Sequence, residues 1–262
     1  MRLEQTLRLD VVLDRKSRLV DGLAEWTSYG VGRVVGIDAK KNGFSPGSLL
    51  LVKTWDSDNP EVVVSERDCL LVPDGLDADV AILAPPLALV LWIWEKLALE
   101  LGEIAVYSEG TPFSALVGRV AWWRGGCPVI GIGTNQRQEF GAKVETLGLE
   151  DPEALISELK QRVKDKAGFA AVDLSGCPEV IDVLLEVLPP RGRLMLAGPK
   201  NRPLTIDFYN NIHRKGARLY ATVFDPALIF DDPCEFSFPL QRAYRILQDG
   251  TRLRTLFAGG PW

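Results

Sequence analysis

The sequence predicts an α/β protein in which a small β domain precedes a larger domain built on a parallel sheet. Residues 1 to about 84 contain short apolar runs, some of them separated by turn signals such as Asn42-Gly43 and Pro46-Gly47, a pattern typical of β-strands. After Gly102, strand-like runs alternate with amphipathic helix patterns, which is typical of a parallel sheet covered by helices on both faces. The length of 262 residues fits one large domain or two closely joined ones.

Residues 1–85 form the predicted β domain. Its clearest strands are Val31–Ile37, Ser48–Trp55 and Glu61–Ser65. A connecting helix is predicted over residues 86–101, because this segment begins apolar on nearly every face, as buried helices do. The most apolar stretch, Val80–Trp94, has 15 residues and is interrupted by Pro85-Pro86. It is shorter than the roughly 20 residues that cross a membrane, so we expect no membrane partner.

Residues 102–230 form the predicted parallel-sheet domain, and residues 231–262 form a C-terminal segment. The candidate strands are Ile104–Ser108, Pro128–Gly133, Lys143–Thr146, Gly168–Leu174, Arg193–Gly198 and Ala217–Phe224. Helices are predicted between several of them, where apolar residues recur at helical spacing. Asp151-Pro152-Glu153 and Pro178-Glu179 are predicted helix starts, since each brings a proline and a negative charge to the first turn.

Charge and cysteine content narrow the function classes. The chain has 30 Lys and Arg against 35 Asp and Glu, a net charge of −5, which argues against a protein that binds the phosphate backbone of nucleic acids. The four cysteines form no Cys-x-x-Cys pair, so neither a zinc ribbon nor a dithiol redox site is indicated. The N-terminus has no apolar signal core. We expect reduced thiols and a cytoplasmic location.

Five segments share one resemblance: Gly30–Val35, Gly43–Gly47, Leu71–Leu76, Val172–Pro178 and Leu188–Gly198. In this order and spacing they resemble medium-chain dehydrogenases/reductases, the superfamily of zinc alcohol dehydrogenases and quinone oxidoreductases. The similarity extends over roughly residues 28–250. It implies a Rossmann-like parallel-sheet domain and a GroES-like β domain, which is reduced because much of the segment that usually opens it is lacking.

The resemblance places a dinucleotide site in the turn Ser108–Ser114. The family's turn carries three glycines that let a pyrophosphate approach the helix start. One alignment puts Glu109, Thr111 and Ser114 at those positions, whereas a shift of one residue puts Ser108, Gly110 and Phe113 there. Either way the glycine pattern is degraded, and a carboxylate in the turn repels a diphosphate. The cofactor-binding residues implied are Gly110, Thr111, Pro112, Phe113, Thr134, Arg137, Ser175 and Gly198.

The residues at the end of the second strand of this domain indicate whether the expected cofactor is NAD or NADP. An NAD enzyme usually has an acid there for the ribose hydroxyls, whereas this chain reads Gly133-Thr134-Asn135-Gln136-Arg137. In the resembled family, a small residue followed by Thr134 and Arg137 is more compatible with a 2′-phosphate. NADP is therefore the expected cofactor.

A catalytic zinc ion is not expected. The zinc-dependent branch of the family has a Gly-His-Glu step where this chain has Thr27-Ser28-Tyr29, and no cysteine precedes Cys69. Tetrahedral zinc needs convergent nitrogen, thiolate or carboxylate ligands. No catalytic residue stands out. The only histidine, His213, is expected to be structural or exposed. The candidate polar groups of the β domain are Ser28, Tyr29 and Lys53.

Three functions follow, in order of preference. The first is a zinc-independent, NADP-preferring oxidoreductase that acts on a small organic substrate, since hydride transfer is the cofactor's own chemistry. The second is a family member that has lost hydride transfer and catalyses a non-redox reaction. The third is a non-catalytic assembly protein whose sheet edge near Leu219–Phe224 pairs two subunits. A homodimer is the partner state that the resemblance implies.

Overall fold

The computed structural model describes residues 8–16, 28–37, 44–54, 61–133, 144–164, 168–199 and 202–257. The chain divides into two compact units. The first is built from residues up to 89 together with 225–258, and the second from residues 90–224. The C-terminal helices thus belong to the same unit as the N-terminal strands.

An antiparallel five-stranded sheet forms the β part of the first unit. Its strands are β1 (Arg8–Lys16), β2 (Ser28–Ile37), β3 (Leu49–Thr54), β4 (Glu61–Ser65) and β5 (Cys69–Leu71). They lie in the order β4-β1-β2-β3-β5. Alternate residues of a strand share one face, and Leu9, Val11, Leu50 and Val52 pack in one buried cluster. β1 and β5 were not among the predicted strands.

Two helices follow this sheet, α1 (Ala78–Ala81) and α2 (Ala84–Lys96). The predicted bounds of α2, 86–101, were wrong at both ends. α2 begins earlier because Pro85 and Pro86 fit the first turn of a helix, where an N–H group has no helical partner. It ends earlier because Ala98 and Gly102 adopt left-handed φ angles of 48° and 84°.

The stretch Ala78–Lys96 is long and apolar enough to cross a membrane by length and composition alone. In the structure, 61% of its most apolar window is buried, and every residue from Ala84 to Leu91 is buried. The Trp94 indole N–H also donates a hydrogen bond to the Val117 carbonyl at 3.0 Å. These are the features of a core helix.

The second unit is built on a six-stranded sheet in which neighbouring strands run parallel. Its strands are β6 (Ile104–Ser108), β7 (Val129–Gly133), β8 (Val144–Gly148), β9 (Phe169–Asp173), β10 (Arg193–Leu196) and β11 (Arg218–Ala221). The order β8-β7-β6-β9-β10-β11 reads 3-2-1-4-5-6 along the chain, the order of dinucleotide-binding doubly wound sheets. All six predicted strands are confirmed, with ends that differ by at most three residues.

Three helices cover this sheet: α3 (Ser114–Trp123), α4 (Pro152–Val163) and α5 (Pro178–Val187). The predicted starts of α4 and α5 are confirmed. The Asp151 carboxylate accepts a hydrogen bond from the Ala154 N–H at 3.0 Å and so caps α4. Leucines of α4 and α5, among them Leu159 and Leu184, pack with strand residues in one core cluster. Each fully buried leucine contributes about 1.5–3 kcal/mol.

The last residues that the structure describes form three helices of the first unit, α6 (Leu228–Asp231), α7 (Pro233–Gln248) and α8 (Gly250–Phe257). The Asp232 carboxylate caps α7 by accepting a hydrogen bond from the Glu235 N–H at 3.0 Å. Phe236, Leu240 and Leu247 lie on one helical face and are buried.

Candidate functional site

The carboxyl ends of β6 and β9 meet in the middle of the parallel sheet. β7 and β8 lie on one side of β6, whereas β9, β10 and β11 lie on the other. The strand order therefore reverses direction between β6 and β9. Ligands of open parallel sheets bind outside the strand ends at such a point, so the turns after β6 and β9 form the candidate functional site.

The turn after β6 runs from Glu109 to Phe113, because β6 ends at Ser108 and α3 begins at Ser114. The sequence left two alignments of the glycine pattern open. The structure favours the one with Glu109, Thr111 and Ser114 at the glycine positions, since the first position follows the strand and the third opens the helix.

Two hydroxyl groups pair with the N–H groups inside this turn. The Gly110 and Thr111 N–H groups both donate to Ser114 Oγ, each at 3.1 Å. The Phe113 N–H donates to Thr111 Oγ1 at 3.2 Å. The Ser114 hydroxyl in turn donates to the Thr111 carbonyl at 2.8 Å. The Ser114 and Thr111 side chains thus accept hydrogen bonds from the N–H groups of their own turn.

The remaining N–H groups of the turn are also paired. The Ser114 N–H donates to the Thr111 carbonyl at 3.1 Å, and the Glu109 N–H donates to the Ile132 carbonyl at 2.7 Å. Pro112 has no N–H to offer. A pyrophosphate at a helix start is normally held by such N–H groups. Here the two hydroxyls must rotate away before those groups become available.

A buried carboxyl group closes the turn after β9. Asp173 is fully buried, and its Oδ1 accepts hydrogen bonds from the Ser108 hydroxyl at 3.0 Å and the Ser175 hydroxyl at 2.7 Å. The N–H groups of Ser175 and Gly176 donate to the same carboxyl group at 3.0 and 3.1 Å. The Leu174 N–H donates to Ser108 Oγ at 2.7 Å. These contacts join the ends of β6 and β9.

Backbone packs against backbone where three turns meet. A Cβ added at Gly110 would overlap the Leu174 carbonyl, and one at Gly198 would overlap the Gly176 backbone nitrogen. Gly176 has a left-handed φ of 63°, which glycine adopts without strain. The structure thus brings Gly110, Ser175 and Gly198 to one place, the carboxyl end of the central strands.

The Glu109 side chain lies across the end of β7. A Cβ added at Gly133, the last residue of β7, would overlap the Glu109 carboxyl group. Glu109 is partly buried, and this burial raises the pKa of its carboxyl group above the ordinary value. The carboxyl group therefore occupies space at the strand end that a side chain of β7 itself would otherwise fill.

Beneath this turn, Tyr107 fills space left by two glycines. A Cβ added at Gly118 would overlap its ring, and one at Gly131 would lie 3.0 Å from its hydroxyl oxygen. Burial, and then the nearby Glu109 carboxyl group, raise the pKa of Tyr107 to about 12, against the opposing effect of the Arg119 guanidinium. The hydroxyl therefore stays protonated at neutral pH and does not act as a base.

The other predicted site residues differ in accessibility. Thr111 and Pro112 are partly exposed. Phe113 is buried and its ring centroid lies 6.1 Å from that of Phe224, so it belongs to the core. Thr134 and Arg137 lie outside the described residues.

The polar candidates of the first unit have structural partners. The Tyr29 hydroxyl donates to the Ile82 carbonyl at 3.2 Å, and Lys53 forms an ion pair with Asp231. In the second unit, His213 is exposed, as predicted, and stacks on the Tyr209 ring with centroids 5.4 Å apart. Thr27 and the side chain of Ser28 lie outside the described residues.

Within the described part of the chain, no group of three His, Cys, Asp or Glu side chains is placed to hold a metal ion. All four cysteines are free thiols. Burial, reinforced by Asp68 and Glu66, raises the pKa of the Cys69 thiol to about 12. This thiol is therefore protonated and unreactive at neutral pH.

Sequence reasoning missed the contacts that organise both turns. Ser108 and Asp173 each end an apolar strand, and the pairing of Tyr107 with Val172 places them side by side on one face of the sheet. Two polar residues at the carboxyl ends of apolar strands were the available signal. No comparable signal pointed to the Ser114 hydroxyl or to the position of Glu109 above Gly133.

Comparisons with known proteins agree with this architecture at the level of structure. No protein-family model matches the chain, and no curated protein matches it either. Galactitol-1-phosphate dehydrogenase from Escherichia coli is similar in structure, with a TM-score of 0.72 and 14% identity over 95% of this chain and 84% of that one. An alcohol dehydrogenase from Thermotoga maritima gives a TM-score of 0.71 and 16% identity over 95% and 83%.

An alcohol dehydrogenase from Thermus sp. ATN1 is also similar, with a TM-score of 0.69 and 14% identity over 98% of this chain and 91% of that one. Identities this low show a shared fold and leave the activity open. The chain therefore shares the fold of these three dehydrogenase structures. The strand reversal between β6 and β9 and the small antiparallel sheet belong to this shared fold.

Proposed function

We propose that this chain is an oxidoreductase that binds a nicotinamide cofactor at the carboxyl ends of β6 and β9. The observation that carries the proposal is the strand order with its reversal between these two strands, because dinucleotides bind at that point. The similar solved structures support it, since those named above are dehydrogenases.

The residues of the two turns would supply binding and orientation. Bound there, a nicotinamide cofactor would supply hydride transfer. We place its diphosphate at Gly110, Thr111 and Pro112, where the N-terminal end of α3 favours an anion. The Ser114 and Thr111 hydroxyls would then rotate and release the N–H groups of the turn to the phosphate oxygens.

The finer features of the proposal rest on the sequence. Zinc independence follows from Thr27-Ser28-Tyr29 in place of the family's ligand step, and the substrate is proposed to be a small organic molecule. The sequence prediction of NADP rests on Thr134 and Arg137, both outside the described residues, and titration with both cofactors tests it.

Titration calorimetry with NADH and NADPH tests the proposal. We expect at least one of them to bind with a Kd below about 1 mM, because the KM values of enzymes ordinarily lie below this limit. Oxidation of the bound reduced cofactor by a panel of aldehydes, ketones and quinones then tests hydride transfer. If neither cofactor binds to the folded protein, the proposal is wrong.

One observation favours a second function, a non-redox reaction in the same cleft. Every N–H group from Glu109 to Ser114 is already paired, which is unusual for a turn that holds a diphosphate. Turnover of a substrate without added nicotinamide would support this function. Strict dependence on NADH or NADPH would exclude it.

A homodimer is proposed for the assembly. β11 lies at the edge of the described sheet and pairs only with β10 there, and an edge strand offers backbone groups to a second strand. The neighbouring Val223 is 55% exposed. Sedimentation equilibrium checks the state in solution, and a monomer would contradict it.

A further inference from the structure

The second strand of the parallel sheet ends in a glycine, and a carboxyl group from the first strand fills the place beside it. Gly133 ends β7, and a Cβ there would overlap the Cδ and Oε2 atoms of Glu109. The two residues are adjacent because Ser108 pairs with Ile132, one step earlier in each strand. Parallel strands advance together, so Glu109 and Gly133 lie level with each other.

This place has a known chemical use in dinucleotide-binding sheets. An acid about 20 residues after the glycine turn hydrogen-bonds the ribose hydroxyls of NAD. Gly133 stands 19 positions after Ser114 and has no side chain for that contact. Glu109 brings a carboxyl group to the same strand end from the neighbouring strand.

We propose that Glu109 is the specificity-determining residue of this nucleotide site: its carboxylate accepts hydrogen bonds from the ribose of the ligand and selects a free 2′-hydroxyl over a 2′-phosphate. The inference rests on the proposed function, because it concerns the same edge of the sheet. It differs from the sequence prediction of NADP, in which the absence of an acid at the end of this strand was more compatible with a 2′-phosphate.

The environment of the Glu109 carboxyl group supports this role. Glu109 is partly exposed, and no described residue donates a hydrogen bond to its carboxyl oxygens. Burial raises the pKa of this group, and a partly desolvated acceptor gains more from a ribose hydroxyl than a fully hydrated one does.

A second carboxyl group stands at the next strand end. Gly148 ends β8 and pairs with Gly133, and a Cβ at Gly148 would overlap the carboxyl oxygens of Glu150. Carboxyl groups therefore lie over the ends of both β7 and β8. A 2′-phosphate, which carries close to two negative charges, would be repelled by both, whereas a hydroxyl donates to either.

The test compares ligands that differ only at the 2′ position. Titration calorimetry measures NADH against NADPH, and AMP against adenosine 2′,5′-bisphosphate, on the wild-type protein. We expect the 2′-hydroxyl ligand of each pair to bind about tenfold or more tightly, since a hydrogen bond to a charged group and relief of repulsion are together worth at least that factor.

Three variants assign the preference to Glu109. Glu109→Gln is expected to reduce the preference to less than about threefold, because the amide lacks the charge that repels a phosphate and accepts more weakly. Glu109→Gly combined with Gly133→Asp moves the carboxylate to β7 and is expected to restore the preference. Glu100→Gln, at an exposed glutamate before β6, is the matched control and should leave it unchanged.

The outcomes separate this inference from the proposed function. If NADH and NADPH bind but their ratio is the same in wild type and Glu109→Gln, the role of Glu109 is wrong and the cofactor proposal stands. If neither dinucleotide binds but AMP is preferred in a manner that depends on Glu109, the cofactor proposal is wrong and the role of Glu109 stands. Failure of all four ligands with folded protein overturns both.

Discussion

The turns after β6 and β9 both pair the N–H groups at a strand end, but they use different acceptor groups. Both begin at the carboxyl end of a central strand, lead towards a helix and must satisfy N–H groups that face no strand. After β9 the acceptor is the fully buried carboxyl group of Asp173. After β6 the acceptors are the hydroxyl groups of Thr111 and Ser114.

The difference lies in how easily a ligand displaces each acceptor. A carboxyl group that accepts several hydrogen bonds is costly to remove, because each buried donor it leaves behind loses about 1–3 kcal/mol. A hydroxyl group changes its partners by rotation about χ1, and the N–H groups that it releases in this partly exposed turn can bond to water or to a ligand. The turn after β9 is therefore the more rigid of the two, and the turn after β6 is the one that a bound ligand would rearrange.

The largest expected effect comes from removing the fixed acceptor. Asp173→Ala leaves the N–H groups of Ser175 and Gly176 without their partner, and we expect the free energy of unfolding to fall by about 3 kcal/mol or more. Urea denaturation measures it. Asp182→Ala, at an exposed position of α5, is the control and should change stability by less than about 0.5 kcal/mol. A loss below about 1 kcal/mol for Asp173→Ala would show that the turn after β9 is not fixed by this carboxyl group.

A smaller effect is expected from pH, through the tyrosine beneath the first turn. Burial raises the pKa of Tyr107 from 10 to about 12, so the unfolded chain releases the proton first as pH rises. Stability from this group is fully present below pH 10 and is lost as pH rises towards about 12, by up to about 2–3 kcal/mol. Urea denaturation of wild type and Tyr107→Phe between pH 8 and about 11 isolates this contribution. Parallel pH profiles for the two proteins would contradict it.

The smallest effect is expected from the exchangeable acceptor itself. Ser114→Ala removes the hydroxyl that accepts from Gly110 and Thr111. We expect a loss of about 1 kcal/mol of stability, because the N–H groups it leaves lie in a partly exposed turn and can bond to water. The freed N–H groups should bind inorganic pyrophosphate more tightly than wild type, as measured by calorimetry. Ser157→Ala, at an exposed position of α4, is the control. Unchanged pyrophosphate affinity would mean that this turn is not a diphosphate site.

Much of the fold was predictable because it depends on short-range patterns. The six strands of the parallel sheet are apolar runs with clear boundaries, and the starts of α4 and α5 are marked by prolines and early acids. The end of α2 was not predictable in the same way. The left-handed backbone at Ala98 ends the helix at a residue type that favours helices.

The site was less predictable because it depends on residues that the chain brings together from a distance. In the sequence, Glu109 stands in a degraded glycine turn, and Gly133 stands where an acid is expected. Taken separately, each residue indicates that a contact with the cofactor has been lost. Only the pairing of β6 with β7 shows that the Glu109 carboxyl group lies beside Gly133, where the acid of an NAD site is expected. Ser108 and Asp173 are 65 positions apart and interact for the same reason.

The amino-acid sequence by itself determined the class of the fold and the location of its candidate site, since apolar periodicity and turn residues act over a few positions along the chain. The tertiary structure alone decided which side chains occupy the hydrogen-bond donors of the first turn and which strand supplies the acid at the end of β7. Those features depend on the lateral register of parallel strands, which local periodicity does not encode.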